Sequence, residues 1–241
     1  MAKRKNKVVV NFILDETSSM HSVWDSTIDG FNEYLSTLKS DEKVNFLFSL
    51  TKFNSDKVDV VNVCDPVSKI KELTRDTYRP AAMTPLYDAI GQTVIETEKR
   101  LKEIKGKPSV LCVIQTDGYE NCSREYNLEK IRSLITEKER DGWTFLYLGA
   151  NQSAWEAGTM IGIAASNTAS YSNTDSSSDA VFDSLGEVTL NYASSTSDTI
   201  ARGATVMSNT GMFSAKGSKG LDIREDNSIT IPDDGSGVVI K

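Results

Sequence analysis

Three short segments carry side chains able to hold a metal ion. In Asp15-Glu16-Thr17-Ser18-Ser19-Met20, Asp15, Thr17 and Ser19 stand at alternate positions. Alternate residues of an extended stretch point the same way, so these three can converge on one point. Thr84 in Met83-Thr84-Pro85-Leu86 and Asp117 in Gln115-Thr116-Asp117-Gly118 complete the set. Together they offer two carboxylates and three hydroxyls, with no nitrogen or sulfur ligand. Oxygen-only donor sets suit hard cations, Mg²⁺ first, with Mn²⁺ or Ca²⁺ as alternatives. Ser19 also opens a helical pattern, and a helix N-terminus favours an acidic ligand group. Asp15 and Thr84 each have a simpler reading as helix N-caps, Thr84 before Pro85 above all, and Thr84 can serve both ends.

Other chemistries fit less well. His21 is the one histidine, so a histidine metal cage is impossible and a Ser-His-Asp triad would have to use it. No Gly-x-Ser-x-Gly turn occurs. A Mg²⁺-dependent phosphatase of the haloacid dehalogenase type needs a second Asp two residues after the first, where this chain has Thr17. No enzymatic activity is expected. Cys64, Cys112 and Cys122 are odd in number and lack metal-ligand spacing, which suits reduced thiols in a cytosolic protein.

The 241 residues carry a net charge of −7, unevenly spread. Residues 1–150 hold 22 basic and 23 acidic side chains; residues 151–241 hold 5 and 11. Neither part is basic, which argues against nucleic acid and against an anionic membrane surface as partners. The basic start and the apolar run Val8–Leu14 have the outline of a signal peptide. Asn11 interrupts that run, Asp15 ends it and no small-residue cleavage site follows, so a buried first strand is expected. No apolar stretch approaches the roughly 20 residues of a membrane-spanning helix.

The elements that must position the three segments follow from periodicity. Val8–Leu14 is an almost wholly apolar run and Val110–Ile114 a continuous one, as expected of strands covered on both faces. Met20, Val23, Trp24, Ile28, Phe31, Leu35 and Leu38 fall three or four apart, an amphipathic helix with Trp24 in its buried stripe. Val44–Leu50 and Val58–Val63 read as a hairpin turning at Asn54-Ser55-Asp56. Pro85 opens a second helix and Asn127 caps a third, with a strand at Trp143–Leu148 and a short helix at Ala154–Ile161. This alternation predicts an α/β fold: a doubly wound, mostly parallel sheet with helices on both faces. Ligands of such sheets sit outside the carboxyl ends of the strands, so all three segments should meet on one edge. Residues 166–178 read as a polar loop, and Val181, Leu185, Val188 and Tyr192 as one further amphipathic helix, at about 179–193. Ser228–Ile231 and Gly237–Ile240 are candidate strands. Glu16 reads as a solvated loop residue. His21 on the first exposed helical turn, and Arg79, Tyr119, Glu120 and Asn121 in flanking loops, are candidate partner contacts, because loops on a rigid scaffold often carry recognition.

Asp-x-Thr-x-Ser-Met after a buried strand, Thr-Pro-Leu-Tyr-Asp-Ala at a helix start, and Thr-Asp-Gly after a second buried strand resemble the von Willebrand factor A domain. The resemblance covers about residues 7–165 and matches, in order, all five positions of that family's metal-ion-dependent adhesion site. Two positions depart from the pattern: Thr17 stands where Ser is usual and Ser18 where Gly is frequent. Without a secretory signal or paired cysteines, the chain resembles the family's stand-alone bacterial and phage branch. The resemblance implies a Rossmann-like vWA fold in residues 1–165, with 166–241 as a Ser/Thr/Asp-rich extension whose helix can complete the domain. It implies that Thr17, Ser19 and Thr84 touch Mg²⁺ through hydroxyls while Asp15 and Asp117 hold it mainly through water. A partner protein's Asp or Glu would then fill the open coordination position. The alternative is an assembly component, of a phage particle or an intracellular complex, docking through the extension. The location implied is cytoplasmic, or virion-associated for a phage-encoded chain.

Overall fold

A computed structural model describes residues 6–150, 153–172 and 175–194, with two strand pieces at 222–223 and 229–230. The apolar runs become strands: β1 (Lys7–Asp15), β2 (Asn45–Asn54), β3 (Lys57–Pro66), β4 (Ser109–Thr116), β5 (Trp143–Ala150) and β6 (Thr168–Tyr171). They form one sheet in the order β3-β2-β1-β4-β5-β6, parallel except for the β2–β3 hairpin. The helices are α1 (Trp24–Ser40), α2 (Leu86–Leu101), α3 (Leu128–Arg140), α4 (Ala154–Met160) and α5 (Asp175–Ser194).

The two-residue period of the central strand sorts its side chains into two cores. Val10, Phe12 and Leu14 face α1 and α5, among Phe31, Tyr34, Leu35, Phe182 and Leu185. Val9 and Ile13 face the opposite layer, with Ala89, Ile90 and Val94 of α2, Ile131 and Ile135 of α3, and Ala154 and Ala157 of α4. Phe12 meets Phe31 edge-to-face at 5.2 Å, a favoured aromatic geometry. Asn11 is buried on the second face without loss of its hydrogen bonds: it accepts from Thr97 Oγ1 at 3.0 Å and donates to Cys112 Sγ at 3.4 Å. Thr93 Oγ1 likewise donates to Thr51 Oγ1 at 2.8 Å, so two hydroxyls of α2 tie that helix to the sheet. Both open edges are poor templates for further pairing. β3 is interrupted by two register shifts, and β6 has only four residues.

The structure differs from the sequence expectation in three places. Residues expected to form a loop at 166–178 instead contain β6 and the start of α5. The polar composition hid an edge strand whose Ala169 and Tyr171 alternate into the first core. The first helical pattern starts as a 3₁₀ turn, Ser18–Val23, and becomes α-helical only at Trp24. Trp24 is half-buried, donating Nε1–H to Tyr78 O at 2.9 Å under the Arg75 guanidinium. In the tail, Ile229–Thr230 falls within the expected strand Ser228–Ile231 and pairs antiparallel with Asp222–Ile223; the candidate strand Gly237–Ile240 lies outside the described residues. No helix among the described residues is long and apolar enough to cross a membrane.

α5 seats on α1 where Gly30 leaves room for a ring: a Cβ there would lie 2.0 Å from Phe182 Cδ2. Tyr34 Oη and Thr189 Oγ1 add a buried hydrogen bond of 2.9 Å across the same contact. Phe182→Ala should therefore cost about 3–5 kcal/mol in denaturant unfolding with an unchanged m-value; a loss of less than about 1 kcal/mol would mean that α5 is not seated there.

Candidate metal centre

β1 and β4 lie side by side at the point where the strand order reverses, the crevice at which open α/β sheets bind ligands. The register pairs Leu14 with Gln115, so Asp15 and Thr116 emerge together at the carboxyl edge. Asp15 is fully buried. Its Oδ1 accepts from Thr17 N–H at 2.8 Å and its Oδ2 from Thr116 Oγ1 at 2.6 Å. Thr17 Oγ1 and Ser19 Oγ are 3.1 Å apart, and Ser19 Oγ donates to Asp117 Oδ1 at 2.5 Å. A methyl group built on Gly118 would meet Thr84 Oγ1 at 3.4 Å and Ser19 Oγ at 3.5 Å. All three segments thus converge, with Gly118 of the second carboxylate's loop beside both hydroxyls.

The electrostatics disfavour two bare carboxylates at this edge. Burial pushes the Asp15 carboxyl up from 3.8 to about 7; hydrogen bonds from Thr116 and Thr17 oppose this, and the neighbouring Asp117 adds to it. Burial also raises Asp117, against the pull of the Ser19 hydroxyl. Two carboxyl groups and three hydroxyls are a donor set for a hard divalent ion. No group of three or more His, Cys, Asp or Glu side chains that could hold a metal occurs among the described residues.

Thr84 does not cap α2. The helix starts at Leu86 after Pro85, with no side-chain cap from the residue before it. Its first amides are taken by the 120–123 loop instead: Tyr87 N–H donates to Glu120 Oε2 at 3.0 Å and Asp88 N–H to Ser123 Oγ at 3.1 Å. This leaves the Thr84 hydroxyl facing Ser19 and Gly118. Asn121 braces Thr84 from both sides: its Oδ1 accepts from Thr84 N–H at 2.9 Å, and its own N–H donates to Thr84 O at 3.1 Å.

The candidate partner contacts separate into two kinds. His21 is exposed on the 3₁₀ turn, its ring edge-on to Trp24 at 5.2 Å, and Tyr119 is half-exposed just beyond Asp117. Glu120 is engaged internally, accepting from Cys122 N, Ser123 N, Ser123 Oγ and Tyr87 N, and Asn121 is the Thr84 brace. The Arg79 guanidinium pairs with Asp76 Oδ1 at 2.7 Å, while its backbone N–H donates to Glu16 Oε1 at 2.7 Å. Glu16 itself is buried against Lys52 and is not a solvated loop residue. Sequence reasoning also missed Thr116, although it sits inside the Thr-Asp-Gly segment, and Tyr78, whose Oη donates to Asp15 O at 2.7 Å.

No protein-family model and no curated protein matches this sequence. Solved structures do resemble its fold. Proximal thread matrix protein 1 from the mussel byssus aligns with a TM-score of 0.55 at 11% identity, over 76% of this chain and 46% of that one. A second structure of that protein, with a zinc-occupied MIDAS motif, aligns at 0.51 and 12% identity, over 83% of this chain and 46% of that one. The vWF domain of the type V pili tip protein Mfa5 from Porphyromonas gingivalis gives 0.55 at 10% identity, over 80% and 98%. The VWA domain of SpRpn10 gives 0.52 at 7% identity, over 76% and 95%. This chain has the von Willebrand factor A fold, and its match spans less than half the length of the mussel protein.

The raised Asp15 carboxyl makes the stability of the metal-free protein depend on pH. The fold prefers the protonated form, so this contribution is complete below about pH 4 and is lost as pH rises to about 7. In chelator, Tm should fall across that interval in the wild type and fall less in Asp15→Asn; parallel curves would contradict the assignment.

Proposed function

We propose that this chain is a metal-dependent protein-binding module and not an enzyme. The observation that carries this reading is the meeting of Asp15, Thr17, Ser19, Thr84 and Asp117 at one edge of a von Willebrand factor A fold, with Asp15 buried. In this reading the Thr17, Ser19 and Thr84 hydroxyls and the Asp15 and Asp117 carboxylates hold Mg²⁺, with Mn²⁺ or Ca²⁺ as alternatives. The zinc in the mussel protein's MIDAS motif supports a divalent ion at such a place.

The bound ion supplies one open position for an anionic oxygen, filled by an Asp or Glu of a partner protein. Two protein carboxylates leave a divalent site near neutrality, so an incoming carboxylate gains attraction without strong repulsion. One such bond gives little affinity alone, and flanking contacts must supply area and specificity. His21 and Tyr119 are exposed and available for such contacts, as is the Arg79 side chain. Glu120 and Asn121 serve by holding Thr84 and α2. The helix expected at 179–193 completes the domain, supported by the Tyr34–Thr189 hydrogen bond.

The purified chain should take up one Mg²⁺ or Mn²⁺, followed by calorimetry. Asp15→Ala and Thr84→Ala should abolish uptake while far-UV circular dichroism stays unchanged. Capture of a partner should fail in chelator and return with Mg²⁺; capture that survives both chelator and Thr84→Ala would refute the proposal.

A further inference from the structure

Glu16 and Lys52 form the one ion pair among the described residues in which both side chains are less than one-tenth exposed. Lys52 Nζ lies 3.2 Å from Glu16 Oε1 and donates to Thr77 O at 2.5 Å. Glu16 Oε1 also accepts from Arg79 N–H at 2.7 Å. Two backbone bonds continue the series: Ala81 N–H donates to Glu16 O at 2.9 Å, and Ser18 N–H to Ala82 O at 3.1 Å. The irregular segment 77–82 is thereby pinned, almost residue by residue, to the Asp15–Ser19 turn and to β2. Ala82 sits at φ 64°, a left-handed conformation that costs energy in a residue with a side chain and persists only where neighbours impose it. Thr84 follows two residues later.

We infer that the Glu16–Lys52 pair is a positioning device for the metal centre. It holds segment 77–82 against the Asp15–Ser19 turn and so delivers the Thr84 hydroxyl to the site. This inference rests on the metal-binding reading above. Packing does not explain the pair, because apolar residues of similar volume commonly replace buried ion pairs at no loss of stability. An apolar pair, however, offers no acceptor for Arg79 N–H and no donor for Thr77 O. The reversed pair fails in the same way: a lysine at 16 cannot accept from Arg79, and a glutamate at 52 cannot donate to Thr77. Charge is conserved in the reversal and the two backbone anchors are lost.

The test compares the full-length wild type with the reversed double variant Glu16→Lys/Lys52→Glu and the apolar double variant Glu16→Leu/Lys52→Met. Mn²⁺ uptake is followed by loss of the free-ion electron paramagnetic resonance signal, and hydrogen exchange is measured in chelator. Both variants should bind Mn²⁺ about tenfold or more weakly, the size of effect seen when partners behind metal ligands are removed. Residues 77–84 should exchange faster in both, while β1, β4 and β5 keep their protection. Lys52→Arg, which keeps both the pairing and the donor, should stay close to wild type. Wild-type Mn²⁺ affinity in the reversed variant overturns the positioning role alone. No Mn²⁺ uptake by the wild type overturns the metal reading itself, and this role with it. Global unfolding of both double variants assigns the pair to the fold instead of the site, and also overturns the inference.

Discussion

Asp15 loses its water when β1 is enclosed between α1 and α5 on one side and α2 on the other, and a carboxylate without water needs donors or a cation. Thr17 N–H and Thr116 Oγ1 supply donors, and these are outweighed by burial, since the group is still pushed up to about 7. Asp117 approaches through the Ser19 hydroxyl and adds a second acid to the same edge. The hydroxyls of Thr17 and Ser19 stabilise that arrangement only in part, because each carries no charge. In the proposed reading, a divalent cation answers this imbalance.

The scaffold behind this edge is rigid where the site needs it. β1 is hydrogen-bonded on both sides along its length, which places Asp15 to the tolerance of the sheet. Thr93 and Thr97 tie α2 to β2 and β1, so the helix that follows Thr84 keeps its height relative to Asp15. The loops complete the placement with side chains that never reach the centre. Glu120 and Ser123 take the amides at the start of α2, and Asn121 grips Thr84 at both backbone atoms. In the proposed reading, preorganisation of this kind lets weak hydroxyl donors act together as a ligand set.

What could be read from the sequence was local. The runs Val8–Leu14, apolar but for Asn11, and Val110–Ile114 announced central strands because both faces are covered and almost every position is apolar. The hairpin was legible from Asn54-Ser55-Asp56, whose Asn54 Oδ1 accepts from Asp56 N and Lys57 N. Asn127 was legible as a cap and accepts from Lys130 N. The three site segments stood out because each sets an oxygen side chain at a strand end or a helix start, although Thr84 proves to follow an irregular stretch rather than a strand. What stayed hidden depends on partners far along the chain. Glu16 looks like any exposed loop acid until Lys52, 36 residues later, folds beside it. Thr84 looks like a cap because nothing near it reveals that Glu120 does that work. β6 escaped notice because an edge strand of four residues needs only two inward side chains, and Ser and Thr at the others mimic a loop.

The most direct measurement is an anomalous-scattering map from crystals of the full chain grown with Mn²⁺. The account predicts one strong peak per molecule, bounded by the Thr17, Ser19 and Thr84 hydroxyls with Asp15 and Asp117 behind them. A map without a peak there at saturating Mn²⁺, with the loops otherwise ordered, would contradict it.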